Sequence, residues 1–452
     1  MTRRLFTEAR IFTPEGFVNG DLLVEDGRFS RIIPANSGEK EKEPEGSDLS
    51  CICLKGKKII PGLIDIHIHG AGGGDVSDGS PEGLKAMAAY LAAQGITSFL
   101  PTAMTMSFEA LEKVCRNVLE ACRRYKESSG EPDSGKQEDS RERDYSGHQA
   151  KILGVRLEGP FLSEQKKGAQ DAAWLRLPDF DAFRELYDST CGIIKLIDIA
   201  PELKGALAFA KQASGFVKVS AAHTAADYET GCAFYRAGGS QLTHLFNAMT
   251  PLQHRAPGII AAAAGAEHVF AELISDGIHI HPAMIPLAFR LFPERICLIS
   301  DALHFLGASS SQAEDTGFLG ASSPQTEDDG FLGTSFSQDG RADDPAYSQN
   351  AGPERRTIYR PDGTIAGQAV YLPDGTLAGS ATSLYQDMLN AVRFGVPEEA
   401  AIRAATIHPA RALGLDKEIG SIEAGKAADF IICSESLERE AIYINGKPVQ
   451  RS

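Results

Sequence analysis

Eight apolar runs, separated by stretches with helical periodicity, constrain this chain more than any other feature. They are Ile59–His69, Ile96–Ala103, Ile152–Glu158, Ile193–Ala200, Phe216–His223, Gln241–Asn247, Val269–Asp276 and Ile296–Asp301. A strand that is apolar on both faces must be covered on both, and strands alternating with helices pair in parallel through crossover connections. Eight such units predict an α/β protein built as a (β/α)8 TIM barrel. Residues 1–35 read instead as short strands, with turns at Pro14-Glu15-Gly16 and Glu25-Asp26-Gly27. Ile419–Ile432 and Ala441–Val449 return to short strands. The predicted architecture is a barrel over 59–410 beside a small β-sandwich domain built from both chain termini, residues 1–58 and 411–452.

Two segments lack the composition of a packed core. Residues 126–150 are polar, charged and almost free of apolar side chains, which predicts a disordered helix–strand connection. Phe305, Phe318 and Phe331 each begin a Phe-Leu-Gly triplet, 13 residues apart, followed by Ser-rich and acidic residues. That period is too short for a solenoid unit. The stretch reads as a disordered low-complexity insertion over 307–352, placed after the eighth strand where it could overhang the mouth of the barrel.

A chain of 452 residues with 42% hydrophobic content can bury a large core. Its net charge of −16 argues against nucleic acid as the main partner, although a few local cations suffice to hold a small anion. Eight cysteines without CxxC pairs read as reduced thiols. No apolar run approaches a membrane span and the N-terminus lacks a secretory apolar segment, so the expected location is cytoplasmic.

The first run closes on His67 and His69, just before a glycine-rich turn. Residues i and i+2 of a strand share a face, so both imidazoles aim at one spot and make half of a metal site. The third run ends at Glu158, a carboxylate that is costly to bury without a cation. The fifth ends at His223, the sixth carries His244 and the eighth ends at Asp301. Each alone has a bland reading, such as a hydrogen-bonded strand histidine or a helix N-cap. Together, four histidines and two carboxylates from five strands converge where barrel active sites lie.

PGLIDIHIHG, the strand-end histidine pair and the late aspartate resemble the amidohydrolase superfamily. LEGPF, KKGA (Lys166–Ala169), SAAHT, THLFNAM, HRAPG, SDGIH, SDAL, LAGS and TIHPARALGL resemble, more narrowly, the N-acetylglucosamine-6-phosphate deacetylases. The resemblance implies a divalent ion held by Glu158, His223 and His244, with a second ion at His67 and His69. Zn2+ leads, and Fe2+, Mn2+ or Co2+ also suit the donors. It implies Asp301 as general base and acid, Arg255 on the substrate phosphate and His279 as a further substrate contact; His279 or a neighbour would also help the metal stabilise the oxyanion. Ala169, Asn247, Ala248 and the turn Leu377-Ala378-Gly379-Ser380 would contact the sugar.

A near-copy of that turn, Thr364-Ile365-Ala366-Gly367, leaves its register open. Lys195 lies inside the fourth run rather than at its end, which disfavours a carboxylated lysine bridging two metals. Gln170 stands where the family commonly has His, so substrate affinity or phosphate preference is expected to differ. The implied reaction is hydrolysis of the acetamide of N-acetylglucosamine 6-phosphate by a homodimer whose subunits help complete each other's sites. The alternatives are an amidohydrolase for another N-acyl or cyclic amide, and a metal-binding paralogue without activity. Intact Asp301 disfavours the last.

Overall fold

The computed structural model describes residues 2–37, 49–78, 80–129, 149–304, 306, 354–359 and 365–450. Each of the eight apolar runs supplies a barrel strand: Leu63–Ile68, Ile96–Ala103, Val155–Phe161, Ile194–Ile199, Lys218–Ala221, Gln241–Leu242, Phe270–Leu273 and Ile296–Leu298. They pair in parallel in chain order, one to eight. The eighth and first strands meet just beyond this ladder. There Asp301 N donates to His67 O at 3.0 Å and His69 N to Ala302 O at 2.9 Å.

Ile64, Ile66, Leu100, Leu196, Ile274, Cys297 and Ile299 form one apolar cluster with Ile407, Ala410, Ala412 and Ile419. Side chains from strands that are not neighbours meet only across the barrel, so this cluster fills its interior. Helices cover the outside, as in Pro81–Ala93, which starts on a Ser80 cap accepting from Gly83 N and has Pro81 in its first turn. Leu84, Met87, Ala88 and Leu91 form its buried stripe. Burying each large side chain there contributes about 1.5–3 kcal/mol.

Three strand readings need correction. The run Ile59–His69 is two strands, not one. Lys58–Pro61 pairs with the terminal sheet, and the chain changes sheets at Gly62, where a Cβ would lie 2.2 Å from Thr97 Oγ1. The sixth ladder stops at Leu242, so His244 sits in a turn rather than on a strand. Between Ile419 and Asp429 the chain turns, and strand begins only at Phe430.

The small domain is built from both termini, as one eight-stranded mixed sheet. Phe430–Cys433 pairs antiparallel with Lys58–Pro61, which runs parallel to Arg3–Thr13. Alternation divides the sheet's residues between two cores. Phe430 and Ile432 pack with Phe6, Phe29 and Tyr443, whereas Ile431 and Cys433 join the cluster between barrel and helices. The second layer over this sheet is therefore the barrel's own flank, which is why Ile59-Ile60 is apolar on both faces.

Residues 126–129 continue the helix Phe108–Ser129, so that part of the expected connection is helical. The rest of it, 130–148, and the whole insertion 307–352 lie outside the described residues. Beyond the insertion, Glu354–Tyr359, Ile365–Tyr371 and Leu377–Ser380 form an antiparallel sheet. Gly379-Ser380 lies against Asp301, with Ser380 N donating to Asp301 O at 3.0 Å, while Ile365-Ala366-Gly367 lies on the middle strand.

Candidate metal centre and active site

Six side chains, each read from a strand end, meet at the C-terminal mouth of the barrel. His67, His69 and Asp301 form one potential ligand group, and Glu158, His223 and His244 the other. Glu158 joins them. Its Oε1 lies 3.1 Å from His223 Nε2, 3.2 Å from His244 Nε2 and 3.5 Å from His67 Nε2, and its Oε2 lies 3.3 Å from His69 Nε2. Asp301 Oδ1 lies 3.2 Å from His69 Nε2 and 3.4 Å from His67 Nε2. All six are buried.

The second nitrogen of every ring is engaged outward. His69 Nδ1 faces Thr102 O at 3.1 Å, His223 Nδ1 faces Lys166 O at 2.8 Å and His244 Nδ1 faces Asn247 O at 3.2 Å. His67 Nδ1 faces Glu272 Oε2 at 3.0 Å. An acceptor at Nδ1 keeps the proton there and turns the Nε2 lone pair inward, the arrangement of a metal-ligating histidine. His67 Nε2 is fully buried without a hydrogen-bond partner among the described residues, and the Nε2 atoms of His223 and His244 face each other at 3.2 Å. These atoms fit a divalent ion, and three protein donors leave a coordination position open for water.

The electrostatics point the same way. Burial opposes a charge on His67 and His69, yet Asp301 and Glu158 beside them raise their pKa values to about 10 and about 9. Burial likewise opposes a charge on Asp301, but His67 and His69 hold it well below the usual carboxylate range. Glu158 is held low in the same way by His67, His223 and His244. The site thus gathers cationic charge around two carboxylates, a balance that a metal ion would otherwise supply.

Local backbone is bent to make this convergence. His223, His244 and Asp301 have φ of 43°, 29° and 48°, in the left-handed region. Each costs about 1–2 kcal/mol, and such strain gathers where the surrounding fold over-determines a functional geometry. Gly159 has φ of 103°, and a Cβ there would lie 2.2 Å from Thr105 Oγ1, which donates to Glu158 O at 2.8 Å.

The residues expected on the substrate divide into two sets. Gly168 of the loop carrying Ala169 comes within van der Waals reach of His223, a Cβ there lying 3.3 Å from its ring. Asn247 O and Ala248 O hold His244 Nδ1 and Thr224 N. Leu377 and Ala378 precede Gly379-Ser380 on the strand against Asp301. His279 is packed beside Asp276, with Nδ1 2.7 Å from Asp276 Oδ2; burial opposes its charge, and Asp276 together with Asp301 raises its pKa. Arg255 stands apart. It is exposed on the loop after strand six and makes no ion pair among the described residues.

Sequence reasoning missed what surrounds the six. Gln170, expected from the sequence only to change substrate affinity or phosphate preference, reaches the shared carboxylate. Its amide donates to Glu158 Oε2 at 2.6 Å while its oxygen accepts from Thr105 N at 2.9 Å. Arg156, Asp198 and Glu272 form a fully buried ionic cluster within the barrel. The available signal was three charges of both signs inside apolar strands, which can be buried only as partners. Lys195 projects outward, its Nζ donating to Gly192 O at 3.2 Å.

A parallel barrel with this cluster at its mouth is built for metal-assisted hydrolysis, and the chain belongs to the amidohydrolase family, whose sequence profile matches residues 59–449. Members of that family are typically metal-dependent. Among curated proteins the chain is similar to the N-acetylglucosamine-6-phosphate deacetylase of Mus musculus, 31% identical over 98% of this chain and 95% of that one. It is also 29% identical to the N-acetylgalactosamine-6-phosphate deacetylase of Escherichia coli O157:H7, over 97% of each. Among solved structures it resembles the Mycobacterium smegmatis N-acetyl-D-glucosamine-6-phosphate deacetylase in complex with N-acetyl-D-glucosamine-6-phosphate. That likeness has 26% identity and a TM-score of 0.75 and covers 100% of both chains.

Proposed function

We propose that this protein hydrolyses the acetamide of N-acetylglucosamine 6-phosphate, releasing glucosamine 6-phosphate and acetate in amino-sugar metabolism. The observation that carries the reading is Glu158, shared between a His-His pair and a His-His-Asp group at the mouth of an amidohydrolase barrel. Glu158, His223 and His244 would hold the essential ion, Zn2+ by its donor set or else Fe2+, Mn2+ or Co2+, and His67 and His69 a second. Such an ion, when bound, supplies polarisation of the amide carbonyl and acidification of water.

The remaining chemistry belongs to the chain. Asp301, whose low pKa leaves it a carboxylate at neutral pH, takes the proton of the attacking water and passes it to the leaving nitrogen. The C–N bond breaks, the amine departs as –NH2 carrying the proton that Asp301 passed on, and the acyl carbon keeps the water's oxygen and its remaining proton, which is then released to leave acetate. His279, fixed by Asp276, offers its other ring nitrogen to the substrate. Ala169, Asn247, Ala248 and the Leu377–Ser380 strand line the sugar, where small side chains admit close backbone contact. Arg255 supplies a planar donor fork for the phosphate.

We further propose a cytoplasmic homodimer in which the Arg255 loop completes the partner's site. Supporting the dimer are Arg255, exposed and without an ion pair among the described residues, and Leu252 on the same loop, 44% exposed. No helix among the described residues is long and apolar enough to cross a membrane. The similarity to a galactosamine-type deacetylase makes the C4 epimer the second substrate to test.

The test is acetate release by the metal-loaded protein from both 6-phosphates and from unphosphorylated N-acetylglucosamine, alongside metal analysis and light scattering. The expected order is glucosamine type, galactosamine type, unphosphorylated sugar, with activity lost on chelation. Release from neither phosphate would overturn the reading.

A further inference from the structure

His67 differs from the other three imidazoles. The Nδ1 atoms of His69, His223 and His244 rest on backbone carbonyls, whereas that of His67 rests on a side-chain carboxylate, Glu272 Oε2, at 3.0 Å. Glu272 is itself not free to move. Its Oε1 accepts from Arg156 Nη1, and Arg156, Asp198, Glu272 and His67 are all fully buried.

Arg156 has five N–H donors, and each has an acceptor. Nε and Nη2 donate to the two carboxylate oxygens of Asp198, both at 2.9 Å. Nη2 also donates to Thr243 Oγ1 at 2.9 Å, and Nη1 donates to Ile66 O at 3.2 Å as well as to Glu272. A buried guanidinium held at every donor has one orientation, and it transmits that orientation to Glu272. Arg156 lies two residues before Glu158 on strand three, so it sits one pleat beneath the ligands. From there it ties strand one through Ile66, strand four through Asp198, strand six through the residue before His244, and strand seven through Glu272. One cation and two carboxylates leave the cluster with one negative charge, and Glu272 presents it to the His67 ring.

We propose that Glu272, clamped by Arg156, is a positioning residue of the metal centre, which fixes His67 in the Nδ1–H form and so sets the affinity of the His67–His69–Asp301 group for a divalent ion. This rests on the metal reading above. Glu272 touches neither substrate nor the reacting atoms. It acts through His67 alone, which separates its effect from that of the Glu158–His223–His244 group.

The test is titration of metal-stripped, full-length protein with Zn2+ against a chromophoric chelator, for wild type, Glu272→Gln and Asp198→Asn. Co2+ absorption serves as a signature of coordination. Glu272→Gln keeps the volume but cannot offer oxygen to both Arg156 and His67. One of the two bound ions should weaken by about 10–100-fold, with a changed Co2+ spectrum, while the other keeps its affinity. Asp198→Asn disturbs the same cluster without touching the Glu272–His67 contact. Because it loosens only the clamp on Arg156, it should lower the melting temperature and weaken the same ion by a clearly smaller factor than Glu272→Gln, leaving the other ion unchanged.

Equal ion affinity in Glu272→Gln and wild type would overturn this inference alone. So would equal weakening by Asp198→Asn and Glu272→Gln, which would make the cluster merely structural. A wild type that takes up no divalent ion would overturn the metal reading and this inference with it. If Glu272→Gln does not fold, histidine 15N spectra of zinc-loaded wild type decide. His67 coordinating through Nε2 with Nδ1 protonated is expected, and coordination through Nδ1 would overturn the proposal.

Discussion

His223 and Arg255 were both picked out from short motifs, yet they occupy opposite physical regimes. His223 is 5% exposed, held at Nδ1 by Lys166 O and facing Glu158 and His244 at Nε2. Arg255 is exposed, on a loop, and without an ion pair among the described residues. The floor of the site is built by strand ends whose register the barrel enforces. The rim is built by loops, where an exposed side chain such as Arg255 is left without an ion pair among the described residues. On the proposed reading, pre-organised ligands belong to the barrel and recognition of the phosphate to the connections.

The sharpest way to break this contrast is to remove a floor residue. Glu158→Ala or His244→Ala should strip the tightly bound ion and abolish acetate release together, measured by elemental analysis and assay. Retained metal in either variant would show that the two groups do not act as described. His67→Ala should cost less, weakening one ion and sparing the other.

Asp301→Asn should lower kcat by about 10²–10⁴-fold, the usual scale of general acid–base catalysis. The ion held by Glu158, His223 and His244 should remain. Unchanged turnover would remove Asp301 from the chemistry.

Gln170 tests the boundary between floor and rim, because its departure from the family's His is expected to change substrate affinity or phosphate preference, whereas its side chain donates to Glu158. Gln170→Ala removes a buried hydrogen bond to a charged group, worth about 1.5–3 kcal/mol. The loss should fall on metal affinity and kcat rather than on KM. A change confined to KM would return Gln170 to the rim.

Arg255→Ala should raise KM for the phosphorylated sugar about tenfold, on the scale of a charge-assisted contact, and leave turnover of the unphosphorylated sugar nearly unchanged. Equal effects on both would make Arg255 structural.

The smallest effect concerns Asp387, buried with Oδ1 accepting from Thr382 and Oδ2 without a partner among the described residues. Burial raises its carboxyl well above the ordinary 3.8, and Asp276 adds to this. The folded state then keeps a proton that the unfolded chain releases above that value, so stability falls as pH rises through the interval between the two pKa values. Asp387→Asn cannot lose that proton. Its melting temperature should equal or exceed wild type at pH 7, and the difference should vanish below the unfolded pKa. A variant less stable than wild type at neutral pH would show that the carboxylate is used.

Taken alone, the sequence determined the eight-unit barrel and the six residues at its mouth. Both follow from one-dimensional rules: apolar runs must be buried, and a polar residue closing such a run must face the open end of the barrel. The terminal sheet was legible as short strands. That its second layer is the barrel flank was not, because the Ile59-Ile60 run reads the same whichever partner covers it. The left-handed turns that aim His223, His244 and Asp301 were also hidden, since the residue types there do not announce positive φ. Only tertiary structure decided the pairings at long range. Arg156, Asp198 and Glu272 come from strands three, four and seven, and nothing local says which buried charge neutralises which. Gln170 is the same case at shorter range, for its partner was fixed by where the loop after strand three folds back over Glu158. Burial is a property that a segment can declare, whereas a partner is a property of the closed barrel.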